Sequence, residues 1–180
     1  MEHNALSEKS LRTRRLVTCA ILSALSVVVL LIGGVTGVLD LSALVIASLC
    51  LAFCVIEIGV RQAYLIWAVT AVLSLILIPS KEIAVMYLLG GTYPILKSSF
   101  ERLHPLFAWP LKLSLFNSAF LLFILAAQKI LGLTGMGYDF TAPTLLIGNA
   151  AFLVFDFALT VFISLYLIRF RRRIRLPRLK

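Results

Sequence analysis

The chain has 180 residues, 61% of them hydrophobic and 14% charged, with a mean hydropathy of +1.04 and a formal net charge of +9. Globular chains run at roughly 45–50% apolar and about 25% charged, so a soluble single-core domain is excluded and the bilayer is the natural solvent. The basic excess lies at the two ends, at Arg12, Arg14 and Arg15 and then in residues 169–180. That placement marks a cytoplasmic face against anionic headgroups rather than a nucleic-acid site, for which no folded basic domain is present.

In chain order, a basic segment 1–15 precedes a first span at 16–32, closed by Gly33 and Gly34. This apolar run is longer than the core of a cleaved signal and lacks a small-x-small cleavage site, so it is expected to be retained. A loop leads to Asp40, and Asp40 or Ser42 can cap span two at 41–59, which stops at Arg61. Span three covers 62–78 and stops at Pro79; Ser80 can cap span four, 83–96, closed by Lys97. Span four is short and interrupted by Gly90, Gly91 and Pro94. Freed backbone groups at membrane depth are tolerated only inside protein or beside a wet cavity, so the interruption is either a binding-site device or a proline kink relieved by Thr92. The stretch 98–110 is the most polar interior segment, span five covers 111–131, and a glycine-rich loop with Tyr138 and Asp139 leads to span six at 143–168.

The expected fold is an all-α membrane protein, a single bundle of six transmembrane helices (16–168) with both termini inside and a basic tail at 169–180. The charges agree: fifteen of the seventeen Lys and Arg residues fall on the inner side, leaving Lys81 and Lys129 outside. An odd number of spans would put one basic terminus outside.

A charge near mid-bilayer costs about 2.5–3.5 kcal/mol on insertion scales, which singles out Asp156 in span six. It can bind a cationic substrate, accept a proton, pair with a basic residue of another helix, or hydrogen-bond Asn117 at similar depth on span five. Glu57 stands four residues before Arg61, and Lys97 four before Glu101, spacings that suit ordinary helix ion pairs. Asn149, next to Gly148, suits either a ligand or a close helix contact. Cys19, Cys50 and Cys54 lie in apolar segments without zinc or redox spacing, and His3 and His104 are unrelated, so no metal, cofactor or disulfide framework is expected. Neither a nucleophile elbow, a phosphate loop nor a dinucleotide fingerprint is present, so no enzyme activity is expected.

Six short spans, inner termini and a basic tail resemble the substrate-binding S components of energy-coupling factor transporters. Ala20-Ile21-Leu22-Ser23-Ala24 resembles that family's Ala-x-x-x-Ala face, and Gly37-Val38-Leu39-Asp40-Leu41-Ser42 resembles the loop and Asp-Leu-Ser entry into span two of its vitamin-binding members. The resemblance implies a multi-pass protein of a bacterial plasma membrane that binds a vitamin-like small molecule. It implies partners too, a transmembrane coupling subunit docking at Ala20 and Ala24 and two ATPases. The implied ligand site lies in the outer half under the loop at 33–40, with Asp40, Tyr87, Tyr138, Asp139 and Asn149 around it and Asp156 at the floor. The alternative is a polytopic membrane scaffold or assembly protein without a small-molecule substrate.

Overall fold

The computed structural model describes residues 2–37, 39–100, 105–130, 132 and 141–170. Among these there are seven α-helices and no strand: α1 (Glu2–Thr36), α2 (Asp40–Glu57), α3 (Val60–Leu77), α4 (Lys81–Gly90), α5 (Tyr93–Phe100), α6 (Pro105–Lys129) and α7 (Ala142–Leu165), the last continuing into a π-helical turn, Tyr166–Phe170. Five helical segments are long and apolar enough to cross a bilayer, in α1, α2, α3, α6 and α7. The chain is therefore a multi-pass, all-helical membrane protein. The pair α4–α5 fills the place expected for span four.

The glycine pair does not close the first helix. Helix α1 runs on to Thr36, and only residues 37–39 connect it to α2, with Gly37 at φ 65°. A Cβ on Gly33 would lie 2.6 Å from Ala43 Cβ, and one on Gly34 would lie 2.6 Å from Ile78 Cγ2 and 2.7 Å from Ser80 Oγ. Both glycines thus serve close helix approach inside α1, as small residues do where backbones meet in lipid. Ser80 holds the N-cap position of α4 as expected, but its side chain does not make the capping bond; the hydroxyl donates to Gly34 O at 3.0 Å. Leu39 precedes α2, so neither Asp40 nor Ser42 caps it by side chain.

The α2–α3 corner corrects a second expectation. Helix α2 ends at Glu57, and Gly59 adopts φ 137°, a conformation open to glycine, so Glu57 and Arg61 do not share a helix face. Glu57 is instead buried and accepts a hydrogen bond from Tyr166 at 3.0 Å, tying α2 to the end of α7. The ring of Tyr166 also meets Phe53 edge-on.

The stretch expected as span four is two helices rather than one kinked helix. Gly91 N donates to Tyr87 O at 2.8 Å to finish α4, and Thr92 O then accepts from Ile95 N and Leu96 N at 3.1 Å to begin α5. Pro94 therefore sits in the first turn of the new helix, where its missing N–H has no intrahelical acceptor to lose. Helix α6 likewise starts at Pro105, earlier than the span expected at 111–131, which places Lys112 two turns inside a helix rather than at its inner end.

Two clusters form the interior. The first, between α1, α2, α3, α4 and the start of α5, holds Leu30, Ala47, Leu51, Ile66, Ile83, Tyr87 and Ile95. The second, between α2, α5, α6 and α7, centres on Ala52, Tyr93, Phe152 and Leu159. Helix α2 belongs to both. The outward faces carry Ile21, Leu65, Ile76, Leu146, Val154 and Phe157, apolar surface that lipid rather than water must cover.

Replacing Gly34 by Val is expected to destabilise the fold by about 1–3 kcal/mol, the cost of overpacking a close contact. Thermal unfolding in detergent measures it; an unchanged midpoint would mean that α1 does not need this approach to Ile78 and Ser80.

Candidate functional site

Helices α5, α6 and α7 each turn one face toward a common interior, and spacing of one turn stacks their side chains into layers. Helix α5 presents Tyr93 and Lys97, α6 presents Lys112, Phe116, Asn117 and Phe120, and α7 presents Asn149, Phe152, Asp156 and Thr160. The uppermost layer is an amide pair. Asn117 Nδ2 donates to Asn149 Oδ1 and Asn149 Nδ2 donates to Asn117 Oδ1, both at 3.1 Å. Each amide also donates to the carbonyl four residues back in its own helix. Below it lies an aromatic layer in which Phe116 stacks on Phe152 at 4.5 Å and on Phe120 at 5.6 Å, while Tyr93 meets Phe152 edge-on at 5.0 Å.

The third layer carries charge. Asp156, 6% exposed at its side chain, forms a direct ion pair with Lys97, which is 1% exposed, and a second with Lys112 at 3.3 Å. Tyr93 Oη donates to the same carboxylate oxygen as Lys97, at 2.5 Å. Lys97 Nζ also donates to Asp156 O at 2.9 Å and to Thr160 Oγ1 at 2.7 Å, and the Thr160 hydroxyl donates to Asp156 O at 2.8 Å. Lys112 reaches the carboxylate at 3.3 and 3.5 Å and lies 5.5 Å from the centre of the Trp109 ring.

Asp156 thus takes the option of pairing with bases on other helices, and not a hydrogen bond to Asn117, whose amide is engaged with Asn149. The other expected site residues divide. Asn149 lies on the same face of α7 as Asp156, two turns away. Tyr87 is wholly buried in the first cluster, and its hydroxyl has no hydrogen-bonded partner among the described residues. Asp40 opens α2, and its Oδ1 has no hydrogen-bond partner among the described residues. Tyr87 and Asp40 are thus not brought to the charged layer. Tyr138 and Asp139 lie outside the described residues, as does Glu101, the partner expected for Lys97. Ala20 and Ala24 lie on the outward face of α1 beside Leu16, Ile21 and Leu25.

Sequence reasoning passed over Lys97, Lys112, Tyr93 and Thr160. Both lysines looked like inner-face charges because each stands near an apparent span end. The available signal was the isolated acid itself, since a carboxylate in a spanning helix needs a base from another one. No protein-family model, curated protein or solved structure matches the chain. The fold and the site together define a class, a helical multi-pass membrane protein whose interior holds a lysine–aspartate–lysine cluster.

The two lysines are expected to differ sharply. Lys97→Met removes the main counter-charge and is expected to cost about 3–5 kcal/mol, whereas Lys112→Met leaves a balanced Asp156–Lys97 pair and is expected to be neutral or stabilising. Equal losses in thermal unfolding would contradict the division of roles. In the amide layer, Asn117→Leu is expected to cost about 0.6–2 kcal/mol, and adding Asn149→Leu should recover part of it. A strictly additive double-mutant cycle would show that the two amides do not interact.

Proposed function

We propose that this chain is the substrate-binding membrane subunit of a small-molecule uptake system, energised by a separate coupling module. In this reading it crosses the membrane six times, with α4–α5 as a broken fourth crossing and both ends on the cytoplasmic side. Lys97 and Lys112, being buried, drop out of the headgroup tally; thirteen of the other fifteen basic residues still fall on the proposed inner side.

The observation that carries the reading is the charged layer beside the helix break. Ionisable residues inside a spanning bundle are expensive and mark binding or ion sites by default. Discontinuous helices are where membrane transporters gather such groups. Ala20 and Ala24, small, one turn apart and outward-facing, suit a close helix–helix contact with the coupling subunit. One observation favours the scaffold reading instead: the Asp156 carboxylate is engaged by Tyr93, Lys97 and Lys112 of its own chain, which is how a purely structural tie looks.

Affinity purification from native membranes separates them. The chain is expected to bring down an ATP-hydrolysing module, and Ala20→Phe with Ala24→Phe is expected to abolish that capture without lowering the unfolding midpoint, since both positions are exposed. Capture of no such module, or capture indifferent to the double substitution, would defeat the uptake reading in this form.

A further inference from the structure

We propose that Lys112 is an anion-binding residue, its ammonium receiving the carboxylate of a small organic acid at the junction of α6 and α7. That this acid is a transported substrate rests on the uptake reading; the anion site itself does not.

The argument is one of charge and donor capacity. Asp156 supplies one negative charge, and Lys97 already meets it with a direct ion pair, a main-chain contact and the Thr160 hydroxyl. Lys112 carries the next positive charge into the same layer. Its side chain is 9% exposed, yet its contacts with Asp156, at 3.3 and 3.5 Å, lie beyond the usual 2.7–2.9 Å of charge-assisted bonds. An ammonium has three donors, and both of these contacts go to one carboxylate whose charge Lys97 balances. The Trp109 ring offsets part of the desolvation, at 5.5 Å from the ammonium, but accepts no full hydrogen bond. Among the described residues, then, Lys112 is a buried cation with donors to spare, its one anionic partner being the carboxylate that Lys97 already engages. An anion would take up those donors, whereas a cationic ligand would not.

Its neighbours narrow the occupant. Trp109 and Phe116 lie about one turn before and one turn after Lys112 on α6, so the surface flanking the ammonium is aromatic. Phe116 is part of the stacked layer with Phe152, and Trp109 is 49% exposed. A carboxylate attached to a flat apolar body matches a polar anchor between two ring faces. The phosphate of an anionic lipid offers the same charge from the bilayer side of Trp109, and the experiment must tell the two apart.

The chain has two tryptophans, so Trp67→Phe leaves Trp109 as the reporter. Purified Trp67→Phe protein in phosphatidylcholine nanodiscs is titrated with benzoate and, as the neutral match, benzamide. A saturable change in Trp109 emission with benzoate alone is expected. Lys112→Met should weaken it at least about tenfold, the worth of a charged hydrogen bond, and Lys112→Arg should retain it. Lys112→Gln serves as a second neutral variant, and unfolding midpoints confirm that each protein is folded. A response shared by benzamide, or none with benzoate, or one that survives both neutral variants, overturns the proposal. A Lys112-dependent change only when phosphatidylglycerol replaces phosphatidylcholine assigns the anion to lipid and overturns the small-acid occupant. Loss of the coupling module in native purification would leave this titration untouched, so the two readings fail separately.

Discussion

Asp156 is the constraint around which the second half of the molecule is organised. A carboxylate two-thirds of the way along an apolar helix cannot face hydrocarbon without a cost of about 2.5–3.5 kcal/mol, so α7 has one acceptable rotation. That rotation buries Phe152, Asp156 and Leu159 and turns Val154, Phe157 and Ile168 outward. Once α7 is set, the side chains of Lys97 and Tyr93 meet it from α5, which packs mainly on α2. The break at Gly91 and Thr92 then has a mechanical reason: it frees Tyr93 and Lys97 of α5 to meet α7 while α4 stays packed against α3 and α6.

The two halves of the bundle are held by different means. Helices α1 to α4 approach closely through Gly33, Gly34, Ala43, Ala47, Ala63 and Ala71, with the hydroxyls of Ser23 and Thr70 bonded at 3.2 Å and, among the described residues, Glu57 at the edge as their one buried charge. In lipid such packing is the main source of helix association, because hydrocarbon surrounds buried and exposed side chains alike. Helices α6 and α7 bury less of their surface and carry the amide, aromatic and charged layers instead. Their adhesion is polar and directional. Helix α2 joins the two halves through its core residues and through the Glu57–Tyr166 bond at its end, and α4 joins them by packing on α6.

This asymmetry bears on function. A half assembled from a few strong polar contacts can change when a ligand supplies or withdraws one charge, whereas a half assembled from many small apolar contacts cannot respond in that way. The charged layer is also poised rather than complete: Lys97 is bonded on three sides, Lys112 only loosely. Chemistry that reads charge would act on that difference.

Much of this architecture was legible from residue order. Apolar runs bounded by charge specify membrane helices because lipid cannot hydrogen-bond a backbone, and the glycine and proline residues of 90–94 announced an interruption of the helix there. Residue order also singled out Asp156, since an acid in a spanning helix is conspicuous in any context. It could not name the acid's partners. Lys97 and Lys112 are indistinguishable in sequence from headgroup-facing lysines, because what separates them is the early start of α6 at Pro105 and the second helix that begins at Tyr93. The same holds for Gly33 and Gly34, which read as a helix end and act as a helix contact. Local chemistry determined that there would be helices, a break and a buried acid; only the tertiary structure decided which bases meet that acid, because ion pairing across helices depends on their rotation and depth, which residue order alone does not encode.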